Sequence, residues 1–158
     1  MSNCRLSIRV SEQELDLFIG TKLVKTYKIS TAKNGLGTEK NSYKTPTGRM
    51  KIAKKIGAGS ELGTVFRARV ATGEIWSTDD SNPLKSSSED LILTRILWLE
   101  GCEPQNSNTL ERYVYLHGTN QEQLLGTPAS HGCIRLSNED IVELYDKVDE
   151  GTPVEVIS

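Results

Sequence analysis

The sequence has little of most of what marks a specialised chain. Of 158 residues only three are cysteine, two histidine, two phenylalanine and two tryptophan. Three cysteines make no disulfide framework, and an odd number leaves at least one thiol whatever the compartment. Charge of one sign is not in excess either: 19 Lys and Arg stand against 21 Asp and Glu, a formal net charge of −2. Without a basic stripe or a long like-charge run, the electrostatic footprint of a nucleic-acid or acidic-membrane binder is missing. The expected ligand is a small molecule or a peptide, and no obligate protein partner is predicted. No apolar run approaches the roughly 20 residues that span a bilayer, so no membrane insertion is expected. The opening MSNCRLSIRV also lacks the apolar stretch of a secretory signal. If Met1 is the native start, the expectation is a cytoplasmic protein with reduced thiols; if a signal has been removed, the protein belongs outside the cell membrane. There is no internal repeat and no low-complexity tract, and the length fits one domain over residues 1–158.

What is present is period-two patterning. Leu6, Ile8 and Val10 fall on one face of an extended segment, as do Leu15 and Leu17, and Leu23 to Ser30 is rich in β-branched and aromatic residues. Gly20 supplies the turn between the second and third of these segments, which predicts a meander. Leu91 to Leu99 is apolar on nearly every residue, as a central strand is. Pro153 to Ile157 alternates again and reads as a closing strand. One helix is predicted: Ser137 caps it, Ile141, Leu144, Tyr145 and Val148 follow at helical spacing, and Gly151 supplies the stop. The fold class is therefore mainly β (α+β), with one principal helix near the C-terminus. Residues 31–48 are turn-rich and end in Thr45-Pro46-Thr47-Gly48, a loop of a size that is more often functional than idle.

Chemistry concentrates in one place. Both histidines, His117 and His131, lie within sixteen residues upstream of Cys133. In an extended Ser130-His131-Gly132-Cys133-Ile134-Arg135-Leu136 segment, His131, Cys133 and Arg135 would share a face while Ile134 and Leu136 enter the core. A thiol flanked by an imidazole and a guanidinium is expected to have a lowered pKa. His117 could take its proton, and backbone N–H groups around Cys133 could serve as oxyanion donors. Gly118 and Gly132 permit close backbone approach. His117, His131 and Cys133 as a zinc set is the weaker alternative, because no CxxC or HxxxH pair completes it, so neither metal nor cofactor is expected.

In ordered combination, Thr45-Pro46-Thr47-Gly48, His117-Gly118-Thr119 and Ser130-His131-Gly132-Cys133-Ile134-Arg135-Leu136 resemble the L,D-transpeptidase catalytic domain family, also called YkuD-type. The resemblance extends over almost the whole chain and implies a fold of mixed β-sheets with few helices. It implies cysteine acyl transfer on peptidoglycan stem peptides, cleaving between an L-configured diamino-acid centre and the following D-alanine. Cys133 would be nucleophile, His117 base and His131 a supporting imidazole. The Gly118 carbonyl would orient His117, and Ser130 and Gly132 would shape the loop. Arg135 would either bind a substrate carboxylate or form a structural ion pair. Twelve residues separate His117 from Ser130, a short spacing that predicts an open pocket. With no export signal and no wall-binding module in the sequence, the favoured expectation is a cytosolic L,D-carboxypeptidase that trims muropeptide tetrapeptides in peptidoglycan recycling. The alternatives are an L,D-transpeptidase of the periplasm or cell wall and a stem-peptide binding module without catalysis. Cys4 and Cys102 are expected to be inert packing or surface thiols.

Overall fold

Short alternating segments dominate the chain because few runs are long enough in one period to sustain a helix. The computed structural model describes residues 3–158. Met1 and Ser2, on which the expectation about the native start rests, lie outside the described residues. The strands are β1 (Cys4–Arg9), β2 (Glu14–Ile19), β3 (Lys22–Lys28), β4 (Gly48–Ile56), β5 (Thr64–Arg67), β6 (Val70–Ile75), β7 (Ile92–Gly101), β8 (Tyr115–Gly118), β9 (Ile134–Leu136) and β10 (Pro153–Ile157), with one α-helix, α1 (Asn138–Lys147). They form a mixed sheet in the order β3-β2-β1-β10-β4-β7-β5-β6, with β8 on β7 and β9 on β8. The expected meander is β1 to β3, antiparallel throughout.

Strand β7 is the hub. It pairs with β4, β5 and β8, and Leu93, Ile96, Leu97 and Leu99 are fully buried along it. One apolar cluster joins β1, β2, β10 and β7 to Leu116, Ile134 and Leu136 and to Ile141, Leu144 and Tyr145 of α1. A second group on the other side of β8 contains Phe66, Ile96 and Tyr115 with Cys133 against them. The site therefore lies where β8 and β9 separate these two groups.

Helix α1 begins as its sequence dictates: the Ser137 side chain accepts a bond from the Asp140 N–H at 3.1 Å. It ends earlier than expected, at Lys147. Val148 is already extended although buried, and its carbonyl accepts from the Lys55 ammonium at 2.7 Å. Gly151, at φ +92°, instead forms the turn into β10, its N–H bound to Ile52 O at 2.7 Å.

Candidate active site

Strand β8 carries His117. Alternation puts Tyr115 and His117 on the face toward Ile96, and Leu116 with Gly118 on the face toward the main core. His117 is buried, and its Nδ1 lies 2.6 Å from the Gly118 carbonyl oxygen. A carbonyl only accepts, so Nδ1 carries the proton and Nε2 is left as the basic nitrogen. Opposite this pair β7 bulges: Leu93 faces Gly118 and Ile96 faces His117, with Thr94 and Arg95 inserted between them. Thr94 sits at φ +77°, a costly conformation for a β-branched residue. Its hydroxyl donates to Asn138 Oδ1 at 2.6 Å, and Asn138 Nδ2 donates to Thr119 O at 2.9 Å. The first residue of α1 thus ties the bulge to the exit of β8.

Cys133 immediately precedes β9, which runs parallel to β8 with Leu116 opposite Ile134 and His117 opposite Arg135. Its thiol is half-buried between main-chain groups of the β8 approach. The Tyr115 N–H donates to Sγ at 3.4 Å, and Sγ–H donates to Tyr113 O at 3.6 Å. Two hydroxyls hold the preceding turn. Ser130 Oγ donates to Cys133 O at 2.6 Å and accepts from the Gly132 N–H at 3.2 Å. Thr45 Oγ1 donates to Gly132 O at 3.0 Å and accepts from the Ala32 N–H at 2.9 Å. The turn-rich loop is thereby fastened to the cysteine turn through a fully buried threonine.

The expected common face of His131, Cys133 and Arg135 does not form. Gly132 stands at φ +128°, outside the extended region, so the alternation rule fails across it and the strand starts only at Ile134. His131 points outward, its ring edge-on to Tyr43 at 6.0 Å and its Nδ1 3.8 Å from Asp90 Oδ2. Arg135 is completely buried, its Nη1 bonded to Asp90 Oδ1 at 2.8 Å and Gln121 Oε1 at 2.6 Å, its Nη2 to Ser30 Oγ at 3.1 Å. Of its two expected roles, the structural ion pair is the one formed.

The surroundings of the thiol work against the expected lowering of its pKa. Burial pushes the Cys133 thiol up to about 12, and the field of Asp90 adds to this against the opposing effects of the Tyr115 N–H, Arg135 and Arg112. Burial also lowers the His117 imidazole, aided by Arg135 and opposed by Asp90 and the Gly118 carbonyl. At neutral pH the resting pair is a neutral thiol and a neutral imidazole. Of the expected oxyanion donors, the Gly132 N–H is already committed to Ser130.

The model of the L,D-transpeptidase catalytic domain family, YkuD, matches residues 5–156. The chain belongs to this family. Among curated relatives, the protein named Probable L,D-transpeptidase YbiS of Escherichia coli (strain K12) is 50% identical over 46 residues, 29% of this chain and 15% of that one. YqjB of Bacillus subtilis (strain 168) is 32% identical over 100 residues, 54% of this chain and 55% of the relative. The matched stretches thus span well under two thirds of either relative. Among solved structures, L,D-transpeptidase 3 from Mycobacterium tuberculosis in complex with a faropenem-derived adduct superposes with a TM-score of 0.63 at 19% identity, covering 99% of this chain and 61% of that one. Such a likeness supports the fold.

In this L,D-transpeptidase-family domain, two residues that hold the site together, Thr45 and Asp90, carry no mark in the linear sequence. Thr45 lies in the turn-rich loop, and nothing local to it shows what its hydroxyl reaches. Asp90 lay in a polar stretch with nothing to single it out. A cleft of about 340 Å³ lies beside the cysteine turn, lined by Lys40, Tyr43, Asn108, Arg112, Tyr113 and His131 among others. Of the other thiols, Cys4 is buried with Sγ 3.3 Å from Lys147 O, and Cys102 is exposed on the far side of β7 from β8. Among the described residues no group of three His, Cys, Asp or Glu side chains could hold a metal, and no helix is long and apolar enough to cross a membrane.

Proposed function

We propose that this domain is a cysteine L,D-carboxypeptidase that removes the terminal D-alanine from peptidoglycan tetrapeptides through a thioester. The observation that carries the reading is the buried His117 ring, held by the Gly118 carbonyl with Nε2 left basic, on the same side of β8 as the Cys133 thiol. Membership of the family supplies the substrate class.

In this reading Cys133 Sγ adds to the carbonyl carbon of the diamino acid while its proton passes to His117 Nε2. Because both groups rest neutral, proton transfer accompanies attack. The tetrahedral intermediate collapses with cleavage of the C–N bond, and the departing D-alanine amine takes the proton from Nε2. Water then adds to the thioester, giving a proton to Nε2. The C–S bond breaks, the tripeptide leaves as the acid, and sulfur regains its proton. In this reading water would reach the acyl carbon from the cleft lined by Tyr113 and His131. A second reading, in which an amine replaces water and a cross-link or exchanged D-amino acid results, is favoured by the name that YbiS carries.

Incubation with a tetrapeptide muropeptide in H₂¹⁸O is expected to release D-alanine and tripeptide carrying one ¹⁸O. The Cys133→Ala variant is expected to release none, and full activity in that variant overturns the reading. Dominance of exchange or dimer products when a D-amino acid or a second stem peptide is added selects the amine reading. A binder without catalysis would show no acyl adduct by intact mass.

A further inference from the structure

The cleft beside Cys133 contains an unbalanced cation. Arg112 is half-buried, and its guanidinium bonds only to neutral oxygens: Nη2 to Lys44 O at 2.6 Å and Ser42 Oγ at 3.5 Å, Nη1 to Gly37 O at 3.3 Å. Among the described residues, none places a carboxylate within ion-pair distance of it, whereas Arg9 holds two at 2.8 Å and Arg135 one at 2.8 Å. Three bonds leave at least two of the five guanidinium donors unused. A desolvated cation without a counter-ion is costly, and burial accordingly lowers its pKa. A planar fork with spare donors matches a carboxylate.

Position connects this cation to the reacting sulfur. Arg112 directly precedes Tyr113, whose carbonyl accepts from Cys133 Sγ at 3.6 Å. Its other close partner, Lys44 O, lies 3.4 Å from where a Cβ on Gly132 would stand. Through Lys44 the guanidinium therefore reaches the turn that carries Cys133, and its field acts on that thiol. Three of the seven non-glycine residues at positive φ among the described residues, Asn41, Tyr43 and Tyr113, line this same cleft. Strain of this kind persists where the surroundings impose it, and it gathers at ligand sites. Tyr43 and Tyr113 also leave much of their rings exposed at the cleft wall. The other charged groups lining the cleft are Lys40 and Glu111, so with Arg112 it carries a net positive charge; Glu39 acts on Arg112 through its field.

We propose that Arg112 binds the free terminal carboxylate of the stem peptide, so that the cleft takes the end of a peptide chain and rejects its middle. This specificity rests on the stem-peptide reading given above. It assigns the departing D-alanine to the cleft between Tyr43 and Tyr113, with its carboxylate on the unused donors of the guanidinium.

The test is calorimetric titration of the non-hydrolysing Cys133→Ala protein with a tetrapeptide ending in D-alanine and with the same peptide ending in D-alaninamide. The acid is expected to bind at least tenfold more tightly than the amide. Adding Arg112→Gln is expected to bring acid affinity down to that of the amide while leaving the amide unchanged, and Arg112→Lys should give an intermediate ratio. A merely structural role for Arg112 would weaken both peptides alike. An acid-to-amide ratio unchanged by Arg112→Gln overturns the proposal while leaving the stem-peptide reading in place. Should the Gln variant fail to fold, a parental ratio in Arg112→Lys overturns it equally. Absence of binding by both peptides to the Cys133→Ala protein overturns the stem-peptide reading and this proposal with it.

Discussion

Because burial raises the Cys133 thiol and lowers the His117 imidazole, the proton rests on sulfur across the neutral range and nucleophilicity waits for the base. Iodoacetamide labelling of Cys133, followed by peptide mapping, is expected to run slower than that of free cysteine at pH 7. It should rise steadily with pH through pH 9, since the thiolate fraction keeps growing below a raised pKa; a plateau near pH 7 would mark a preformed thiolate instead. Thr45 gives a prediction of another kind. Thr45→Val keeps the shape but leaves Gly132 O and Ala32 N without their partner, costing about 1–3 kcal/mol. The urea midpoint is expected to fall accordingly and D-alanine release with it, while Thr45→Ser retains both. At this scale the sequence points to Cys133 and His117 as the candidate pair, because scarce residue types lie close together along it. The hydroxyl of Thr45 and the carboxylate of Asp90 reach partners 87 and 45 residues away, which no local pattern reveals. The positions of His131 and Arg135 were misjudged because one glycine at φ +128° breaks the period the argument relied on.

Strands β7 and β8 are in register only where a bulge and a glycine allow it. A Cβ on Gly118 would meet Leu93 O at 2.8 Å and also Asn138 Oδ1, and both are held in place by their own bonds. Gly118→Ala is therefore expected to push β8 from β7, costing about 1–3 kcal/mol. His117 moves with β8, so D-alanine release should fall more than tenfold; wild-type turnover in a folded Gly118→Ala protein would contradict this account. Elements with alternating apolar residues were legible, namely β1, β2 and β10, along with the apolar run of β7 and α1 through its cap. β3 was legible from its β-branched and aromatic content. β6 was not, since every residue in it is exposed and nothing alternates. β5 and β9, of four and three residues, are too short to carry a period. Met50 and Ile52 do alternate inward in β4, so a signal was present there and passed over.

Across the whole molecule the two ends of the chain meet in the sheet. β10 lies between β1, parallel, and β4, antiparallel, with Leu6 opposite Val154 and Val154 opposite Met50. Removing residues 153–158 takes two buried valines from the core, about 3–6 kcal/mol in all, and deprives both neighbouring strands of a ladder. That loss is comparable with the whole stability of an ordinary domain, so the truncated chain is expected to show no cooperative thermal transition by circular dichroism. The same arrangement governs the order of assembly during synthesis. The parallel neighbour of β1 is made only after all the strands and the helix between them, roughly 7–30 s later at ordinary elongation rates. Over that interval β1 and β4 each carry an open edge that can pair with other nascent chains. A translating polysome therefore presents strand edges that the finished sheet closes, and a chaperone that shields strand edges has a target there that the folded domain no longer offers.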